Sequence, residues 1–290
     1  MRRLYLSIML ISISAGLGFS FDWPVVNPKV ISTFGENHGG NFNTAVTMLG
    51  DEGSVRAADS GEVVFSAVVD EYGLPSGIGN FAVVEHEGGL KTVYAHLTED
   101  SVREMPRTIG AKEPLGRVGD SGWTYGNQLR FSVLDTDFNQ IVNPLLLLPS
   151  ISDTSSPVVE GLELISDGTL KMVEDDMTVP AGRYTVTITT YDPSEFSRIW
   201  SPMSIYSITM FLNGLQVFSI KLEALKETED SLVLTNSGGL TCSDLYRGTE
   251  RLALTDVDLL EGRSSIELIA RDYAGNETAF IKSFIVRDAD

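Results

Sequence analysis

The chain has 290 residues, enough for two domains, with 42% hydrophobic and 21% charged residues. That composition is ordinary for a globular protein and excludes a disordered or membrane-embedded chain. Twenty-one Lys and Arg against 40 Asp and Glu give a formal net charge of -19, which repels polyphosphate and argues against a nucleic-acid partner.

The chain begins with Met1-Arg2-Arg3, a short basic start, followed by an apolar run from Leu4 to Leu17. Small residues then stand at cleavage positions: Gly16 and Gly18 before Phe19, or Gly18 and Ser20 before Phe21. Residues 1–20 therefore read as a secretory signal peptide, too short and wrongly flanked for a membrane span. No later run approaches transmembrane length. The single cysteine, Cys242, lies too far downstream to take a lipid and has no partner for an internal disulfide. It reads as a small buried hydrophobe. The expectation is an exported protein, periplasmic or extracellular, with no transmembrane segment after signal cleavage.

Past the signal, short alternating runs and turn residues predict an all-β chain. Glu62–Val69 is a strand, and Phe81–Glu85 and Leu90–Ala95 form a hairpin around His86-Glu87-Gly88-Gly89. Leu115–Val118 and Leu129–Leu134 are further strands. Pro144 and Pro149 bracket a leucine run, and residues 150–157 have linker composition, dividing a domain at 21–149 from one at 158–290.

In the second half, Arg183–Tyr191 alternates, and Asn213-Gly214 joins two apolar runs as a two-residue hairpin. Gly182-Arg183, Val186, Ile188 and Asp192 recur at the same spacing as Gly262-Arg263, Ile266, Leu268 and Asp272, which suggests a repeated strand-and-turn unit. Regular short strands predict an immunoglobulin-like β-sandwich over 158–290. Asp192, Asp272, Asn276 and Glu277 read as turn residues satisfying backbone amides, with an oxygen-ligand calcium site as the other reading. Lys221–Asp230 is highly charged and reads as a short helix or an exposed loop.

Six segments then line up in order: Ser32-Thr33-Phe34-Gly35-Glu36; Val55 to Val63; Gly79 to His86; Thr92-Val93-Tyr94-Ala95-His96-Leu97; Gly116 to Gly122 with Gly126, Leu129 and Phe131; and Val142-Asn143-Pro144. Together they resemble the M23 (LytM-type) peptidase family. The resemblance implies an antiparallel, duplicated-hybrid-motif-like β domain. It also implies peptidoglycan crosslink hydrolysis by a zinc held by His, Asp and His, with a further His assisting the zinc-bound water. In this sequence the family's H-x-G-x-D falls on Asn43 to Thr47, and its H-x-H-F on Gln128 to Phe131. Asn43, Thr47 and Arg130 stand at the three ligand positions. Only His96, matching the assisting histidine, keeps its identity.

Zinc needs about three imidazole, carboxylate or thiolate donors. Asparagine and threonine offer weak neutral oxygens, and arginine has no lone pair and stays protonated. Without the metal, water keeps a pKa of about 15.7 rather than about 7 and supplies no hydroxide at neutral pH. The expectation is a non-catalytic site of Asn43, Thr47, His96, Gln128 and Arg130, no zinc cofactor, and binding through Arg130, His96 and Tyr94. Arg130 either grips a carboxylate or is a solvated surface arginine; His96 is either functional or a packed, hydrogen-bonded remnant. The resemblance implies peptidoglycan or a cell-wall amidase as partner. One alternative is an active zinc endopeptidase with a rearranged site built from His38, His96 and an acid. Another is a structural envelope component acting through the second domain.

Overall fold

The computed structural model describes residues 21–50, 53–69, 77–194 and 203–288. The predicted signal peptide lies outside them. Among the described residues, ten strands form one sheet that is centred on the first half of the chain. Leu129–Asp135 runs antiparallel to Leu90–Ala95 on one side and, near its start, to Val46–Leu49 on the other. Phe81–Glu85 and Gly61–Ala67 continue the sheet beyond Leu90–Ala95. The predicted hairpin is found, with Gly88 and Gly89 turning at φ 81° and 79°. Period-two alternation buries Leu129, Phe131 and Val133 and sends Arg130 and Ser132 to the opposite face.

Leu129–Asp135 and its neighbours position the candidate site; the second half of the chain closes over a different core. Thr169–Met172, Val158–Ser166, Gly182–Tyr191 and Arg251–Leu259 form one sheet. Ser207–Leu212, Leu215–Lys221, Gly262–Arg271 and Glu277–Arg287 form the other, with Thr178–Pro180 parallel to the last strand. Leu162, Leu164, Val186 and Ile188 from the first share a core with Ile208, Met210, Ile266, Leu268 and Phe284 from the second. This is a two-sheet sandwich. Asn213 and Gly214 both take positive φ (52° and 79°), as a type I′ hairpin requires. The repeated Gly-Arg…Asp unit is realised as two ten-residue strands, Gly182–Tyr191 and Gly262–Arg271, in facing sheets.

One segment differs from its sequence reading. Lys221–Asp230 is neither helix nor loop: it contains the strand Ala224–Glu227, which pairs with Gln140–Val142 and carries Leu232–Leu234 on its far side. Ala224 and Leu225 are buried while Lys226 and Glu227 are exposed, so the charge lies on the outer part of a strand whose inner part packs. The second half thereby completes the first sheet. Phe34 and Phe42 belong to the sandwich core, and Met203 to the core of the first sheet. Among the described residues no helix is long and apolar enough to cross a membrane, a statement that does not bear on membrane β-barrels.

Covering a phenylalanine side chain stabilises by roughly 1.5–3 kcal/mol, so uncovering two removes a large share of the ~5–15 kcal/mol that holds a typical domain folded. We predict that the full chain melts in one calorimetric transition. A fragment ending at Pro149 should unfold at a clearly lower temperature; equal melting would show that the strands at 224–234 and the cover over Phe34 and Phe42 contribute little.

Candidate functional site

Arg130 stands opposite Thr47 on one neighbouring strand and Ala95 on the other, so all three share the face turned away from the core. Its Nη1 donates to Asn43 Oδ1 at 2.8 Å and its Nη2 to Thr44 Oγ1 at 3.0 Å. Asn43 is buried and uses its Nδ2 hydrogens on Thr33 O (2.7 Å), Ala45 O (2.9 Å) and Ser32 Oγ (3.1 Å). Carbonyls only accept and guanidinium only donates, so the amide has one possible orientation, oxygen toward Arg130. Ser32 Oγ in turn donates to Glu36 Oε2 at 2.5 Å, and the buried Glu36 also accepts from the amide and hydroxyl of Thr33 and from exposed His38. The result is a continuous polar chain, Arg130–Asn43–Ser32–Glu36–His38.

Burial draws the Arg130 pKa below its ordinary value. No carboxylate is seen paired with it among the described residues, which rules out the solvated surface arginine and leaves a held, half-buried cation. His96 follows the strand Leu90–Ala95 with φ 65°, a left-handed conformation that costs a non-glycine residue about 1–3 kcal/mol and marks functional sites. Its Nδ1 donates to Ser121 O at 2.8 Å, which fixes the neutral tautomer and leaves the lone pair on Nε2. Burial lowers its pKa, the Ser121 carbonyl partly offsets this, and the charge of Arg130 lowers it further. Gln128 is buried just ahead of the Arg130 strand, and its amide donates to Gly119 O at 3.1 Å.

Tyr94 corrects an expectation. It lies opposite Phe131, on the core face, fully buried, and its hydroxyl accepts from the Ala58 amide (2.8 Å) and Thr92 Oγ1 (3.1 Å). Burial pushes its pKa up to about 12. It is a core residue rather than part of the binding face, because strand alternation places it on the opposite side from Ala95. Three features of the site were not singled out from sequence: Thr44, the Ser32–Glu36 network, and Ser121, which orients His96. Beyond Ser121, Trp123 and Tyr125 are largely exposed (80% and 84%), and they too were missed.

The donor set does not fit a zinc ion. Asn43 Oδ1, the atom nearest in type to a ligand, is occupied by a guanidinium hydrogen, and a fixed cation stands where a dication would have to sit. His38 and His96 do not gather with an acid either. Among the described residues, the three-donor cluster of His, Cys, Asp or Glu is Asp153, Asp192 and Asp272, in the linker and sandwich. The rearranged-site reading therefore lacks a ligand set here. Glu277 is engaged by Arg271 at 2.6 Å and Asn276 donates to Asp272, so neither belongs to that cluster. Cys242 is buried, its thiol pushed up to about 11, as a buried small hydrophobe should be.

The profile of peptidase family M23 matches residues 41–144, and a separate family profile matches residues 156–287. An uncharacterised protein of Treponema pallidum is 30% identical over 144 residues, 45% of this chain and 98% of that protein. The cell division protein DipM of Caulobacter vibrioides is 31% identical over 142 residues, 47% of this chain and 22% of DipM. The murein hydrolase activator NlpD of Escherichia coli is 30% identical over 128 residues, 44% of this chain and 31% of NlpD. The chain belongs to peptidase family M23 through its first domain. It spans less than a third of DipM and of NlpD.

Two outcomes are expected. Replacing Asn43 with alanine leaves Arg130 and two backbone carbonyls without partners and should cost about 1–3 kcal/mol or more in urea unfolding. His96 contributes pH dependence of a stated sign. The unfolded imidazole takes up its proton near the ordinary 6.5 while the folded one resists. Stability is therefore intact above that pH and is lost as pH falls below it. His96→Gln should flatten this slope in urea titrations at a series of pH values below neutrality; an unchanged slope would contradict the assignment.

Proposed function

We propose that this is an exported, non-catalytic M23 protein that binds peptidoglycan or regulates murein hydrolases. The carrying observation is the guanidinium of Arg130, locked by Asn43 and Thr44 at a zinc-ligand position. In the family's metal centre, a dication and one carboxylate sum to a single positive charge. Arg130 with neutral Asn43 and Thr47 also carries one positive charge. Electrostatic attraction for an anionic group is thus kept while the Lewis acid is gone.

Two of the five guanidinium N–H donors are engaged within the protein, so others remain to grip a carboxylate such as those on peptide stems. The exposed rings of Trp123 and Tyr125, in the loop that orients His96, offer apolar surface beside it. The similarity to an activator of murein hydrolases and to a cell division protein agrees with this reading. The second domain reads as immunoglobulin-like on its sheet order and on the parallel pairing of Thr178–Pro180 with the final strand.

The test combines metal content with binding. The wild-type chain, purified with added zinc, should hold no stoichiometric zinc and leave purified sacculi uncleaved, yet be retained by sacculi or stimulate a murein amidase. Arg130→Gln should weaken that interaction about tenfold or more, since a charge-assisted hydrogen bond is lost. The triple variant N43H/T47D/R130H, which restores the family's donors, should acquire zinc. Stoichiometric zinc in the wild type together with sacculus cleavage would sink the proposal.

A further inference from the structure

Where the linker meets one end of the sandwich, three aspartates from three separate elements converge. Asp153 lies in the linker, Asp192 directly follows the strand Gly182–Tyr191, and Asp272 directly follows Gly262–Arg271. One carboxylate oxygen of each lies within 4.8 Å of the corresponding oxygens of the other two. We propose that Asp153, Asp192 and Asp272 form a binding site for a hard divalent cation of calcium size, which ties the linker to both sheets of the sandwich.

The cluster would not by itself carry this reading; Asp192 does. It is 3% exposed, and its Oδ1 is buried with no hydrogen-bond partner among the described residues. A buried carboxylate oxygen facing two other carboxylates without a donor is costly, and the cost is removed by a bound cation. The neighbouring ligands are already oriented. Asp272 Oδ1 accepts from the amides of Gly275 (2.7 Å) and Asn276 (2.8 Å), and its Oδ2 from Asn276 Nδ2 (2.7 Å). Asn276 Nδ2 also donates to Asp153 O at 3.1 Å, fastening the linker, while the Asp153 carboxylate accepts from the Ser155 amide at 2.8 Å. Such outer hydrogen bonds hold ligands in place ahead of the metal.

Size and chemistry choose the ion. Ligands on opposite sides of a calcium ion, each about 2.4 Å from it, are about 4.8 Å apart, which is the span seen here. Magnesium wants a tighter octahedron at about 2.1 Å, and zinc or copper would favour imidazole or thiolate, of which the cluster has none. A cavity lined by Trp23, Lys29, Tyr273 and two of the ligands, Asp153 and Asp192, opens beside the cluster and gives water a route to the remaining coordination positions. The same cavity is walled by both domains, so an ion here would brace their junction.

Terbium, a calcium surrogate that emits when excited through nearby tryptophan or tyrosine, provides the probe, with Trp23 and Tyr273 in place. In the full chain after chelation, sensitised emission should saturate at one ion per chain and be displaced by calcium. Calcium alone should raise Tm saturably by a few degrees, roughly 2–5 °C. Asp192→Asn and Asp153→Asn should each weaken both responses about tenfold or more, whereas Asp258→Asn, removing an exposed acid elsewhere on the sandwich, should leave them unchanged. Emission that calcium does not displace, no response at millimolar calcium, or wild-type binding by Asp153→Asn would overturn the proposal. The Asp153 variant, altered only in the linker, keeps the test decisive if Asp192→Asn fails to fold. None of these readouts involves Arg130, so their failure is separate from that of the proposed function.

Discussion

A single charge-assisted hydrogen bond, from Arg130 to the amide oxygen of Asn43, sets what the first domain can do. Guanidinium cannot lose its proton at physiological pH and offers no lone pair, so its presence decides against a metal at the same place. The same bond fixes the Asn43 amide, whose nitrogen then anchors Thr33, Ala45 and Ser32. Replacing a metal centre by a hydrogen-bonded cation preserves local charge and local rigidity together. Only the capacity to polarise water is removed. The neutral His96 beside it, held in a left-handed backbone conformation by its bond to Ser121, keeps the geometry of a proton acceptor without a metal-bound water to act on.

The segment that carries this network is braced from the second domain. Tyr246 donates its hydroxyl to Gly35 O at 2.9 Å, Tyr273 donates to Phe34 O at 3.1 Å, and the Ser204 amide donates to Thr33 Oγ1 at 3.2 Å. Gly35, at φ 84°, passes so close to Leu222 that a Cβ there would lie 2.8 Å from its Cδ1, so side chain and backbone both demand glycine. Buried tyrosine hydroxyls seldom go unpaired, and here they find backbone carbonyls across the domain junction. The sandwich is therefore part of the scaffold that places Ser32, Glu36 and Asn43. The strand at Ala224–Glu227 extends the same partnership into the sheet itself.

Repetition in the sandwich has a geometric consequence. Two strands that begin with Gly-Arg and end at Asp, lying in facing sheets, deliver two buried carboxylates to one end of the fold. Like charges brought together in a low-dielectric setting repel unless something intervenes. The linker adds a third carboxylate at that end, rather than a compensating base.

Local pattern was enough to read much of this chain. Alternation located the strands at 81–85, 90–95, 129–135 and 182–191, because burial of one sheet face repeats every second residue. The Asn-Gly pair fixed its hairpin, because few residues accept two successive positive φ values. Ordered motifs identified the family and showed which side chains had replaced its ligands. Tertiary structure alone decided who meets whom. Arg130 and Asn43 are 87 residues apart, and nothing in their flanks announces the bond between them. The Lys226 strand was hidden because its two buried residues are outnumbered by charges, and Tyr94 was misplaced because a motif names residues without saying which face of the sheet each occupies. Asp153 joins Asp192 and Asp272 only once the linker folds back against the sandwich. Periodicity is a property of neighbours along the chain, whereas a site is a property of neighbours in space.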